Sequence, residues 1–355
     1  MIDNQIMNLV ERDKAVEKNL EIADFVKILF RETYGAEVDE LYSNAELRQR
    51  IRNAVSKLRE SYDKTLCDTN YDDDEIRKAY MIAYYPYFIE PARYIMENFV
   101  MRALDLTVIE WEDDYGYDIR DGWRDVRGYY PANLGFFACG PCPELLGVVA
   151  ALKENHFCDK VTVTNFDLET GWFSYQGMTR KFCEEIMPIV EDYGSWTFYH
   201  HKIGDLSAFN DPNFLKKLYD AQVFFIQNYL SHLAPENVEN FLQWFSAVTN
   251  WTKYGALFIF IDLNYQKKDY APQEPAPEIV FKRLIDENFL SANSLCKVES
   301  YIHGEGLPFR IHHTDMPQAL LDNIFTNENK FFRRRYNSKF YFVVLQKTNY
   351  PKHVK

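Results

Sequence analysis

The chain has no apolar run reaching the ~18 residues of a membrane-spanning helix. Its first residues, Met1-Ile2-Asp3-Asn4, lack the basic and apolar regions of a secretory signal. Cysteine is sparse: six over 355 residues, several of them inside apolar segments. That pattern excludes a disulfide scaffold and leaves reduced thiols, with a cytoplasmic location as the expectation and no membrane partner. Positive charge is also short. Forty Lys and Arg against 53 Asp and Glu give a net charge of −13, which disfavours broad contact with RNA, because that affinity comes largely from cations displacing counterions. No internal repeat or low-complexity tract is present.

What the chain does have is apolar and aromatic material for a large core: 47% hydrophobic residues, 25 Tyr and 27 Phe. Its length admits two domains. Residues 1–130 read as a helical N-terminal region, since 6–33, 38–64 and 74–104 carry apolar residues at three- and four-residue spacing among charges. Ser43-Asn44 suits the start of the second helix. Thr69-Asn70-Tyr71-Asp72-Asp73-Asp74 lacks the glycine and distal glutamate of a calcium loop and reads as an acidic helix start. Tyr80-Met81-Ile82-Ala83-Tyr84-Tyr85-Pro86-Tyr87-Phe88 either docks this region on the rest of the chain or lines a pocket wall, docking being the commoner use of such faces.

Phe136-Phe137-Ala138-Cys139-Gly140-Pro141-Cys142-Pro143-Glu144 runs from an apolar strand through a small-residue turn into a helix beginning near Pro143. Small side chains let backbone N–H groups approach a ligand, and the positive end of the helix points the same way. The same composition also serves plain strand-to-helix packing. A second strand, 160–167, ends in Asp167, about 25 residues past Cys142, which suits hydrogen bonding to ribose hydroxyls.

With these residues the chain resembles the class I S-adenosylmethionine-dependent methyltransferases. On that family's first motif, Ala138, Gly140 and Cys142 take the three glycine places, and Phe136 stands where an acidic residue is usual. The order continues. Residues 195–202 read as a third strand followed by Gly204-Asp205-Leu206, 221–229 as a fourth ending in Gln227-Asn228-Tyr229, and 255–263 as a fifth. A helix at 278–288 and strands at 297–303 and 339–346 complete the series. The fold implied is α/β: a Rossmann-like seven-strand methyltransferase sheet over 131–355, with an antiparallel last pair at the edge. Residues 307–337 are expected as an insertion and possible lid.

The cofactor implied is S-adenosylmethionine. By resemblance, the backbone of Ala138, Cys139, Gly140, Pro141 and Cys142 holds its amino-acid part, Asp167 its ribose, and Leu168 and Asp205 its adenine, with Leu206 and Gln227 beside them. Asn228 or Tyr229 would orient a methyl acceptor and His232 would act as base. The Asp/Asn-Pro-Pro-Tyr motif of amino-directed members is absent. A small-molecule acceptor is favoured by the acidic charge and the aromatic helix; an RNA acceptor stays open through Lys330-Phe331-Phe332-Arg333-Arg334-Arg335-Tyr336.

Plainer roles stand beside each of these. Asp167 suits a helix N-cap, Asp205 a turn, and Gln227 and Asn228 a strand end. Cys139 and Cys142 have redox or zinc spacing without a second pair, so no metal is expected. Phe136, Ala138 and Cys142 also suit a protein that kept the fold for binding or assembly and lost catalysis. An NAD-dependent oxidoreductase is disfavoured, since no partner His or Tyr-x-x-x-Lys set appears in order.

Overall fold

A computed structural model describes residues 22–62, 69–101, 103, 131–154, 160–168, 170–186, 192–263, 276–301, 307–310, 316–330, 332 and 337–348. Among the described residues four α-helices come first: α1 (Ile22–Tyr34), α2 (Ala45–Tyr62), α3 (Asp74–Ala83) and α4 (Tyr85–Ile95). Their starts follow local chemistry. The Asn44 side chain accepts from Leu47 N–H at 3.0 Å, and Asp73 accepts from Glu75 N–H, so the acidic break is a helix cap.

Among the described residues eight strands form one mixed sheet. They are β1 (Pro131–Phe137), β2 (Lys160–Asp167), β3 (Asp192–His200), β4 (Val223–Gln227), β5 (Leu257–Leu263), β6 (Leu295–Tyr301), β7 (Leu307–Arg310) and β8 (Asn337–Lys347). The order is β3-β2-β1-β4-β5-β8-β6, with β7 also paired to β8. The five strands from β3 to β5 pair in parallel, and β8 runs antiparallel to β5, β6 and β7. The crossovers are helical: α5 (Pro143–Glu154), α6 (Phe173–Lys181), α7 (Pro212–Asp220) and α8 (Val238–Trp251). After β5 come α9 (Ala276–Leu284) and α10 (Glu287–Ala292). This is a Rossmann-like α/β fold with the antiparallel edge that the resemblance implies.

The central strands β4 and β5 are buried at every position and almost wholly apolar, because both faces are covered. Val223 and Phe225 of β4 pack with α5 and the N-terminal helices, while Phe224 and Ile226 pack with α7, α8 and α9. The helical region is therefore part of the same core. At Gly147 on α5 an added Cβ would lie 2.1 Å from the Ile89 carbonyl oxygen of α4, so only glycine permits this helix crossing.

Two expectations are refined. The helix at 278–288 is two helices, because Asp286 caps α10 by accepting from the N–H groups of Asn288 and Phe289. Within 307–337, β7 extends the sheet, and α11 (Gln318–Asn323) docks on the helical region, with Tyr42 Oη donating to Asp322 and Arg52 to the Asn323 carbonyl. Arg333, Arg334 and Arg335 lie outside the described residues.

Candidate functional site

The strand order reverses between β1 and β4, and in open α/β sheets ligands bind in the crevice outside the strand ends at such a switch point. A cleft of about 270 Å³ lies there, near the lower end for small-molecule sites. Its floor is the turn after β1. Ala138, Gly140 and Cys142 have φ of 47°, 53° and 60°, so every second residue of the turn is left-handed. For Ala and Cys this costs roughly 1–2 kcal/mol each, and the surroundings hold the conformation in place. Ala138 N–H bonds to the Phe166 carbonyl at 2.8 Å, and Cys142 N–H to the Cys139 carbonyl at 2.7 Å.

Side chains on α6 clamp the same turn. Gln176 donates to the Gly140 carbonyl at 2.7 Å and accepts from Asn165 at 2.9 Å. Thr179 donates to the Pro141 carbonyl at 2.6 Å and lies 2.7 Å from the Tyr85 hydroxyl of α4. Asp167, buried at the end of β2, accepts from Gly140 N–H at 2.8 Å, which ties the second strand to the turn. This bridge joins the two strand ends directly beneath the cleft.

Glu144, in the first turn of α5, lines the cleft 2% exposed, and its Oε1 has no hydrogen-bond partner. Burial, with a smaller contribution from Asp167, pushes its carboxyl up to about 8. At the end of β4, Gln227 donates to the Phe88 carbonyl at 2.7 Å, leaving its Oε1 unpartnered, and Asn228, at φ 56°, leaves its Oδ1 unpartnered. Both line the cleft. Unpaired buried groups are uncommon in native interiors, and these three are all acceptors.

The outer wall is aromatic. Trp172, Tyr80, Tyr71 and Tyr62 line it together with His232. Trp172 stands 5.1 Å from Tyr71 and 5.5 Å from Tyr80, centroid to centroid. His232 Nε2 lies 3.3 Å from the Tyr62 hydroxyl, which lies 2.8 Å from that of Tyr71. The aromatic stretch of the sequence thus serves both readings: Tyr80 lines the cleft, while Tyr84, Tyr85 and Phe88 dock α4 in the core.

The structure brings Ala138, Cys139, Gly140, Pro141, Asp167, Leu168, Gln227, Asn228, Tyr229 and His232 to this one cleft. Cys142 lies beneath it, fully buried. Asp205 lies in an adjoining depression that shares Lys202, Ile203 and Tyr229 with the cleft. It caps a short helical turn by accepting from Ser207 N–H at 2.9 Å, and Leu206 beside it is half exposed. Burial pushes the Tyr229 phenol up to about 12 and the Cys139 thiol up to about 12. His201 also lines the cleft. It accepts from Trp244 Nε1–H at 3.1 Å, and burial holds it down at about 4, so its ring is neutral.

Sequence reasoning missed the parts that Glu144, Trp172, Tyr62, Tyr71 and His201 take in this cleft. For Glu144 a signal existed, since a carboxylate in the first turn after a small-residue loop is within reach of whatever that loop holds. The aromatic wall had none, because Tyr62, Tyr71 and Trp172 come from separate elements. Asp262, fully buried at the end of β5, also escaped notice; it accepts from Ser231 N–H at 3.2 Å and Leu263 N–H at 2.8 Å and holds the 228–232 loop. Among the described residues no group of three His, Cys, Asp or Glu is arranged to hold a metal ion, and no helix is long and apolar enough to cross a membrane.

No protein-family model and no curated protein matches the chain. Solved structures do resemble it distantly. An O-methyltransferase family protein from Burkholderia thailandensis is 11% identical, with a TM-score of 0.37, covering 78% of this chain and 60% of its own. The mitomycin 7-O-methyltransferase MmcR is 10% identical, with a TM-score of 0.37 over 83% of this chain and 67% of its own. The plantazolicin methyltransferase BpumL, crystallised with a substrate analogue and SAH, is 12% identical, with a TM-score of 0.35 over 92% of this chain and 99% of its own. The chain thus spans less than two thirds of the first of these proteins. Likeness of this order carries no functional information by itself.

Proposed function

We propose that the chain is an S-adenosylmethionine-dependent methyltransferase with a small-molecule acceptor, built as a helical region (1–130) and a sheet domain (131–355). One observation carries the reading. Three left-handed residues, Ala138, Gly140 and Cys142, open the turn at the switch point, and the Asp167 carboxylate bridges to its centre. The chemistry of the lining supports such a cofactor: it offers backbone groups for an amino-acid portion, a buried carboxylate beside them, and unpartnered acceptors for a ligand that carries N–H donors.

Bound there, S-adenosylmethionine would supply a methyl group on a cationic sulfur. The chain's own part is alignment and proton removal. The turn and Asp167 hold the cofactor, with Leu168, Asp205 and Leu206 on its adenine side. The Asn228 Oδ1 and the Tyr229 hydroxyl orient the acceptor, and His232 takes its proton, steadied by Tyr62. The outer wall is aromatic, and among the cleft's described lining residues Lys202 is the one lysine, so the surface suits a compact ring better than an RNA backbone.

A second reading, the fold kept for binding without catalysis, is favoured by Phe136. Its ring is fully buried and stacks on Phe225 at 5.3 Å where the resemblance implies an acidic residue. Thermal shift separates the readings. S-adenosylhomocysteine at a hundredfold excess over its dissociation constant is expected to stabilise the chain by about 2.7 kcal/mol, with NAD giving no shift; no shift with either ligand contradicts the methyltransferase reading.

A further inference from the structure

Phe136 leaves the cleft without a carboxylate at the end of β1, yet a carboxyl group reaches the same space from the other side of the turn. Glu144 is 2% exposed, lines the cleft, and keeps Oε1 without a partner. A buried carboxyl oxygen left unpaired is costly unless a donor meets it. Gln227 Oε1 and Asn228 Oδ1, unpartnered in the same cleft, are also acceptors. A donor is therefore expected against Glu144, and a cationic one suits it, since a phosphate placed there would meet both Asp167 and Glu144.

We propose that Glu144 receives the α-ammonium group of the cofactor, a residue of α5 thus supplying the carboxylate that Phe136 cannot. The assignment rests on the methyltransferase reading and deepens it. The titratable groups facing Glu144 are Asp167 from β2, Cys139 and Cys142 from the turn, and Tyr85 from α4. Burial pushes both thiols and the phenol well up, so they stay neutral near pH 7. In the free chain Glu144, pushed up to about 8, is mostly protonated at pH 7. Pairing with an ammonium ionises it, and the displaced proton goes to the buffer.

Calorimetric titration of the intact chain at pH 7, in two buffers of different ionisation enthalpy, tests this with two probes. S-adenosylhomocysteine carries the amino group; 5′-methylthioadenosine carries the same nucleoside without it. The wild-type chain is expected to release a proton, up to one per S-adenosylhomocysteine bound, because Glu144 is pushed up to about 8. Glu144→Gln should bind that ligand at least tenfold more weakly without proton release, and bind methylthioadenosine as the wild type does. Absence of proton release from the wild type, or unchanged affinity in Glu144→Gln, overturns the Glu144 assignment and leaves the cofactor reading standing. Failure of the wild type to bind either probe overturns both.

Discussion

The backbone N–H of Gly140 donates to Oδ2 of Asp167 across 2.8 Å, joining the turn after the first strand to the end of the second. Asp167 is buried and Gly140 partly so, and Asp167→Ala leaves the Gly140 N–H without this partner. The expected loss is about 1–3 kcal/mol of stability, read as a lower denaturant midpoint at unchanged slope. A loss under about 0.5 kcal/mol, the scale of an ordinary surface change, contradicts the bridge.

Two glycines give opposite predictions for the same substitution. Gly147→Ala drives a methyl group against the Ile89 carbonyl and parts α5 from α4; it is expected to destabilise by about 1–3 kcal/mol or more, as overpacking does. Gly177 sits inside α6 with open space around it, so Gly177→Ala is expected to stabilise by about 0.5–1 kcal/mol. Thermal denaturation of the pair checks both signs.

How much of this is legible in the sequence follows from what each feature depends on. β4 and β5 are legible because strands covered on both faces are apolar but for a polar residue near the end, and the turn at 138–142 because small residues are set between a strand and a helix. β7 is not: four residues with Pro308 carry no periodicity, and its pairing to β8 is tertiary. The cap that splits 278–288 is a single Asp286 within an otherwise helical pattern. The part Glu144 takes depends on α4 closing over the turn, and that of Trp172 on Tyr71 and Tyr80 being brought beside it. Sequence shows the sheet and the floor of the cleft; the wall comes from long-range packing.

Asp262 makes stability depend on pH. Burial pushes its carboxyl from the ordinary 3.8 up to about 7. Between those values the folded chain holds a proton that the unfolded chain has released. This contribution is therefore fully present below pH 3.8 and is lost as pH rises to about 7, by roughly 1.4 kcal/mol per unit at most. Asp262→Asn, which cannot ionise, removes this slope even where it loses a hydrogen bond. Melting temperatures from pH 5 to 8 check this: the variant is expected to gain on the wild type as pH rises, and parallel curves contradict it.

Cys139, Cys142 and Cys183 are buried, and burial raises all three thiols. Thiolate is the reactive form, so iodoacetamide at pH 8 is expected to spare them in the native chain and modify them in denaturant. Cys296, partly exposed, should react first of these four. Peptide mass mapping after timed labelling reads the order, and early modification of Cys139 or Cys142 contradicts the packed turn.

The central claim is that the turn and Asp167 form a cofactor site. Calorimetric titration of S-adenosylhomocysteine into the wild type and Asp167→Ala tests it most directly. Micromolar binding by the wild type, about −8 kcal/mol, weakened at least tenfold in a variant that remains folded, is the predicted result. No binding heat from a folded wild type at any temperature, or equal affinity in the two chains, would contradict it.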